Sequence, residues 1–284
     1  MTSPCNGTPD NGTPAFDSPM FEHLELYTQK SGPEIEKQLY AFKDKAGRNL
    51  ALRPETTPSL ARMVASRGNS LKMPLRWYAI PTLFSYERMQ KGRLREFAQL
   101  NMDILGIADV AADAELIAAA VAMMQDLGFD SNDFSVRVSS RMLLEEIFIA
   151  IGIDTPRHAA LYAALDRKHK IPAREFEKQL ADAAGDTAGQ KHIADIFTMT
   201  SIDDIEQAFP GLKAAGQLRE LFALTQYYGI GEYMEFDIGI VRGLAYYTGI
   251  VFELFDKLRS LRAIAGGGRY DNLVAEIGGP PTGA

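Results

Sequence analysis

The sequence predicts an α+β fold with a mainly antiparallel sheet and an inserted helical subdomain. Three observations point there. Strand-like segments, with alternating apolar and polar residues at 95–106 and 134–140, lie in the first half, and strand character returns near the end. Between them, residues 155–228 change texture to a run of helical stretches. Regular βαβ alternation, which a parallel doubly wound sheet needs, is absent.

Composition sets the outer bounds. The chain has 284 residues, room for one large or two modest domains. Its 46% hydrophobic and 24% charged content is that of an ordinary globular protein. No run of about 18 apolar residues occurs, so no transmembrane helix is expected. The opening residues, "MTSPCNGTPDNGTPAFDSP", have neither a basic start nor an apolar centre, so no secretory signal is expected. Cys5 is the single cysteine, too few for an internal disulfide or a cysteine-built zinc cluster. These features fit a reducing, cytoplasmic setting. The net charge of −7 argues against a protein that coats nucleic acid over its whole surface. It leaves room for a local basic site, and Arg88, Lys91, Arg93 and Arg95 form the densest candidate.

In chain order, residues 1–18 are turn-rich and predict a disordered tail. "KQLYAFKDKAGRNLALRPE" (37–55) predicts a hairpin, with strands at "LYAF" and "NLALR" and Gly47 in the polar turn. A helix follows in "TTPSLARMVASRG". Thr57 is the expected N-cap, Pro58 suits the first turn, and Gly68 closes the helix. Leu60, Met63 and Val64 share its apolar face. "LRWYAIPTLFSYE" (75–87) and "REFAQLNMDILG" (95–106) predict antiparallel strands joined by the basic loop. "AADAELIAAAVAMMQDLGF" (111–129) predicts an amphipathic helix, "FSVRVSS" (134–140) a strand, and residues 141–151 a further helix. Beyond residue 155, "RHAALYAALDRKHK", "AREFEKQLADAAG", "DIEQAF" and "AAGQLRELFALTQYYG" all predict helices. Strand character returns in "YMEFDIGIVRGLAYYTGIVFELFD" (233–256) and "RAIAGGGRYDNLV" (262–274). The expected organisation is a tail (1–18), a first core part (19–154), a helical insertion (155–228) and a second core part (229–284).

Four stretches carry candidate chemistry. In "REFAQLNMDILG", side chains of a strand alternate between faces. Ala98, Leu100, Met102 and Ile104 make one apolar face, and Phe97, Gln99, Asn101 and Asp103 make the other. A half-exposed strand accounts for the pattern, and so does the floor of a polar pocket. In the pocket reading, Gln99 and Asp103, roughly 13 Å apart at ~3.3 Å per residue, grip opposite ends of a small ligand. In "LRPETT", Glu55 lies between a strand end and a helix start, a place for a binding residue or for a carboxylate favoured by the helix dipole. In "VRGLAYYTGIVFEL", Arg242 sits in apolar surroundings and needs exposure or an anionic partner, either a structural carboxylate or a ligand phosphate or carboxylate held bidentately. In "AIAGGGRYDNLV", the glycine triplet allows a close backbone approach or a tight bulge, and matches neither the dinucleotide nor the Walker spacing. Together these residues suit an anionic nucleotide beside a small zwitterion. No metal cluster is apparent, and His23, His158, His169 and His192 lie outside all four stretches.

"LALRPETTPSLARM", "YERMQKGRLREFAQLNMDILG", "VRGLAYYTGIVFE" and "AIAGGGRYDNL" resemble histidyl-tRNA synthetase, a class II aminoacyl-tRNA synthetase, in order from about residue 17 onward. The resemblance implies a class II synthetase-like, mainly antiparallel sheet flanked by helices. It also implies ATP-dependent activation of histidine to histidyl-adenylate, with Mg2+, and transfer to tRNA(His). Carried over by motif, Glu55, Thr57 and Gln99 match positions that hold the α-amino group, and Asp103 and Tyr247 match positions that face the imidazole. Arg242 matches the arginine at the carboxylate and α-phosphate, while Glu87 and Arg93 match motif 2 positions around ATP. Gly266, Gly267, Gly268 and Tyr270 match the wall of the histidine pocket. The helical insertion matches a segment that leans on the tRNA acceptor end, and the family implies a homodimer.

The sequence also departs from that pattern. Ser85 stands where motif 2 carries an arginine in F-R-x-E; the run here is "FSYE". Serine supplies neither the charge nor the guanidinium fork. Ala98 stands in place of an aromatic or histidine, and Ala245 in place of an aspartate. Pro19 resembles the end of motif 1 without the long helix before it. Motif 3 and the anticodon-binding domain are not found in these residues. Two other readings therefore stay open: a non-catalytic, histidine-sensing paralogue such as the ATP phosphoribosyltransferase regulatory subunit, and a decayed fragment without function.

Overall fold

A computed structural model of the chain describes residues 14–28, 38–86, 94–167, 171–185, 193–241, 244–259 and 262–284. In chain order its elements begin with β1 (Phe21–His23), α1 (Leu24–Thr28), β2 (Ala41–Lys43), β3 (Asn49–Leu52) and α2 (Thr57–Arg67). Then come β4 (Leu75–Ala79), β5 (Thr82–Phe84), β6 (Glu96–Ala98), β7 (Asn101–Leu105), α3 (Ala111–Asp126), β8 (Phe134–Ser140) and α4 (Arg141–Ala150). The helices α5 (Thr155–Asp166), α6 (Ala173–Ala184), α7 (Ile202–Ala208) and α8 (Lys213–Tyr227) follow. The chain ends with β9 (Met234–Phe236), β10 (Ile250–Asp256), β11 (Ala265–Gly268) and α9 (Leu273–Glu276). The chain divides into two compact units: one of residues 1–108, 244–246 and 270–284, the other of residues 109–243 and 247–269.

In the first unit, β2 and β3 form the predicted hairpin, with Ala41 opposite Ala51 and β1 added on the far side of β3. Asp44 closes its turn by accepting from the backbone of Ala46 and Arg48. Gly47 takes φ +79°, a conformation that favours glycine. The predicted strands 75–87 and 95–106 do pair antiparallel, but each is broken in two. β4 pairs with β7 and β5 with β6, separated by Ile80–Pro81 on one side and Gln99–Leu100 on the other. Pro81 has no N–H to give the ladder, and its carbonyl accepts from Gln99 N instead. The break ends the expected alternation: Leu100 is exposed, and Gln99 no longer shares a regular face with Asp103.

Two further expectations change here. The N-cap of α2 is Thr56, and Thr57 is its first helical residue. Leu60 and Val64 are buried on α2 as expected, and Gly68 ends it. Residues 1–13 lie outside the described residues, but 14–18 are not a loose tail. Pro14 O accepts from Tyr78 N and Phe16 N donates to Tyr78 O, which adds this segment to β4. Phe16 is buried against Trp77, and Asp17 pairs with the buried Arg53. α9 packs on α2, and a Cβ at Gly279, shortly after α9, would meet Ala65 Cα at 2.8 Å.

In the second unit the sheet order is β11-β10-β8-β9. It is antiparallel apart from the β8–β9 pair, which is parallel. Phe134, Val136 and Val138 of β8 point into one apolar cluster that also takes Ile117 and Val121 of α3, Leu144 and Ile147 of α4, and Leu218 and Leu221 of α8. Ser140 ends β8 and caps α4 by accepting from Leu143 N. α5, α6 and α7 contribute Leu161, Leu180 and Ile205 to the same cluster, so the helical stretch from 155 to 227 shares its core with the sheet. Ser201 and Asp204 form a reciprocal capping box on α7. Among the described residues, no helix is long and apolar enough to cross a membrane.

Candidate active site

The candidate site of the first unit is built from four segments that are distant in sequence. β7 carries Asp103 into the interior, where the side chain is 7% exposed. Tyr270, just beyond β11, donates its O–H to Asp103 Oδ1 at 2.7 Å. Asp103 Oδ2 is buried and has no hydrogen-bond partner among the described residues. Burial pushes this carboxyl from 3.8 up to about 6, while the Tyr270 hydrogen bond pulls the other way. A buried acceptor with no donor is costly to keep. It is a place that a ligand N–H can fill.

Glu55 follows β3 and precedes α2. Tyr246 donates its O–H to Glu55 Oε2 at 2.5 Å. The rings of Tyr246 and Tyr270 meet edge to face, 6.1 Å apart at 82°. Two carboxylates are thus each held by a phenol, and the two phenols touch. Thr57 is buried in the first turn of α2. Beside it, Thr56 is fully buried, and its hydroxyl has no partner among the described residues.

Gln99 stands apart from this group. It is exposed, and its amide donates to Asn101 Oδ1 at 3.0 Å. Ser85 is half-buried at the end of β5, where its N–H donates to Arg95 O. Glu87, Arg93 and Arg242 lie outside the described residues.

In the second unit, the glycine triplet makes β11, whose Gly266 stands opposite Glu253 of β10. A Cβ at Gly268 would lie 2.8 Å from Tyr247 Cδ1 and from Val251 Cγ1, and one at Gly267 would lie 2.8 Å from Phe252. At these two positions the missing side chains make room for the chain's own rings. Tyr247 is thereby held against Gly268. Arg269, directly after the triplet, is buried and donates to Asp113 Oδ2 and to Asp109 O at the start of α3. Among the described residues, no group of three or more His, Cys, Asp or Glu side chains could hold a metal ion, so these residues offer no carboxylate cluster for magnesium.

Reading the sequence singled out Glu55, Thr57, Asp103 and Tyr270, and the structure places all four in the first unit, with Tyr270 on Asp103. It missed Tyr246, because the neighbouring Tyr247 took the functional role by motif. The signal was the doublet itself: of two adjacent tyrosines in a turn, one can reach a carboxylate while the other packs on a glycine.

This α+β core with mainly antiparallel strands shares the fold of solved histidyl-tRNA synthetase structures. The histidyl-tRNA synthetase family model matches residues 11–284. The chain is 42% identical over 262 residues to the chloroplastic/mitochondrial histidine–tRNA ligase of Arabidopsis thaliana, covering 92% of this chain and 54% of that protein. It is 43% identical over 270 residues to the histidine–tRNA ligase of Opitutus terrae, covering 92% and 62%. Among solved structures, an ATP phosphoribosyltransferase regulatory subunit/histidyl-tRNA synthetase from Bacillus halodurans superposes with a TM-score of 0.81 at 23% identity, over 95% of this chain and 70% of that one. The chain belongs to the histidyl-tRNA synthetase family. It spans about 54–62% of the length of these curated relatives.

Proposed function

We propose that the chain carries the histidine-binding and adenylate-forming core of a histidine–tRNA ligase. The observation that carries this reading is the buried Asp103 Oδ2, an acceptor without a donor beside a tyrosine-held partner oxygen. An imidazole N–H satisfies it, and an apolar side chain of similar size leaves it unpaired. Glu55, with Thr57 at the start of α2, takes the α-ammonium group; Gln99 joins only if its exposed amide turns inward. By the motif match, Tyr247, Gly266, Gly267 and Gly268 complete the set of histidine-binding residues.

In the reaction, a carboxylate oxygen of histidine attacks the α-phosphorus of ATP. The bond to the bridging oxygen breaks, and pyrophosphate leaves. Arg242 stabilises the charge that builds on the α-phosphate, and Glu87 and Arg93 hold the nucleotide. Mg2+, where bound to the nucleotide, supplies further charge neutralisation. A ribose hydroxyl at the acceptor end of tRNA(His) then attacks the carbonyl carbon of the adenylate, the histidyl ester forms, the mixed anhydride bond breaks and AMP leaves, with residues 155–228 against the acceptor stem. The reading includes a cytoplasmic setting and a homodimer; its support is the family membership.

Histidine-dependent ATP–pyrophosphate exchange tests it. Exchange that requires histidine is the expected result. Histidine binding without exchange would make the chain a histidine-binding protein of the regulatory kind, with Ser85 the first suspect. Absence of both would sink the reading.

A further inference from the structure

We infer that Tyr246 is a positioning residue that holds Glu55 by a hydrogen bond and, through its ring, keeps Tyr270 on Asp103. This rests on the histidine-binding reading and assigns a role to a residue that lies outside the motif-matched set. Tyr246 is 7% exposed, so both its ring and its hydroxyl are committed to the interior. The hydroxyl donates to Glu55 Oε2, which limits the carboxylate to rotamers compatible with that bond. The ring edge meets Tyr270, whose own hydroxyl ends on Asp103 Oδ1. The edge-to-face contact restrains the tilt of the Tyr270 ring whose hydroxyl reaches Asp103. Asp103 Oδ2 is then aimed by a side chain held at its sister oxygen.

The two parts of Tyr246 therefore serve different ends of one ligand. The hydroxyl governs the carboxylate that meets an ammonium group. The ring governs the carboxylate that meets an imidazole. Removing the hydroxyl alone injures recognition of the ammonium, and removing the ring injures both.

The test uses the full chain, calorimetric titration, and two probes: L-histidine, and imidazole-4-propionate, which lacks the amine. Tyr246→Phe should weaken histidine binding by roughly 10-fold or more, the order expected for a hydrogen bond to a charged group. It should change imidazolepropionate binding by less than about 3-fold. Tyr246→Ala should weaken both. A merely structural Tyr246 would lower both affinities together in the phenylalanine variant, and that result overturns the inference. So does a Tyr246→Phe chain that binds histidine as the wild type does. Thermal melts of Tyr246→Phe near the wild-type value exclude misfolding as the cause. If the wild type binds neither probe, the histidine-binding reading falls and takes this assignment with it. If the wild type binds histidine and only the variant pattern fails, this assignment falls alone.

Discussion

Asp103 shows what a buried carboxylate oxygen without a donor costs. Its carboxyl is raised from 3.8 to about 6, chiefly by burial. A raised carboxyl contributes to stability below the unfolded value, and that contribution is lost as pH climbs through the folded value. The rise corresponds to about 3 kcal/mol of stability given up at pH 8. Asp103→Asn removes that penalty and still accepts from Tyr270. The variant is therefore expected to lose less stability than the wild type between pH 4 and pH 8; urea unfolding at the two pH values checks this. The same variant should lose most histidine affinity, because one amide cannot offer two acceptor oxygens. Ser85 poses the opposite problem, a group that is missing. Its backbone closes the β5–β6 pairing, and its side chain carries no guanidinium. Ser85→Arg is expected to raise pyrophosphate exchange roughly 10²–10³-fold, the size of one preorganised donor. An unchanged rate would mean that Ser85 is already compensated.

At the scale of elements, local chemistry foretold what exists better than where it stops. The hairpin around Gly47, the helix closed by Gly68 and the strand "FSVRVSS" form where turn residues and periodicity placed them. The long strand 95–106 does not survive as one piece. Its partner carries Pro81, and the defect lies across the sheet, invisible to the alternation of either strand alone. Asp103 stayed legible because β7 keeps its register beyond the break, whereas Gln99 sits in the break and turns outward. Thr56 rather than Thr57 stands at the cap position although its hydroxyl makes no capping hydrogen bond, so the capping preference of threonine does not choose between them. The buried pair Arg269–Asp113 was not foreseen, since nothing local links the glycine triplet to the start of α3. It fixes the exit of β11, with Thr248 N donating to Arg269 O on the other side. Asp113→Ala leaves a guanidinium buried without this carboxylate and should cost about 3–5 kcal/mol in urea unfolding. Combining Asp113→Leu with Arg269→Met should recover much of that loss, because packing alone can replace a buried pair.

At the scale of the whole molecule, the first unit gathers its site from the ends of several excursions of the chain. Glu55 and Asp103 come from its continuous part, Tyr246 from the three-residue segment 244–246, and Tyr270 from the start of the segment 270–284. No window of sequence holds all four, so only the two carboxylates, one inside strand β7 and one at the entry to α2, could be picked out by local pattern. Tyr246 and Tyr270 acquire meaning from the hydrogen bonds they make 191 and 167 residues away. A ligand that bridges the carboxylates must therefore stabilise all four segments together. At a histidine concentration 100 times its dissociation constant the gain is about 2.7 kcal/mol. Amide hydrogen exchange with and without histidine should slow together in peptides that carry Glu55, Asp103, Tyr246 and Tyr270. The α5–α7 helices, which hold none of these residues, should exchange at unchanged rates. Slowing confined to one of the four segments would mean that the ligand reads a single carboxylate, and the paired-tyrosine arrangement would then be a feature of folding rather than of recognition.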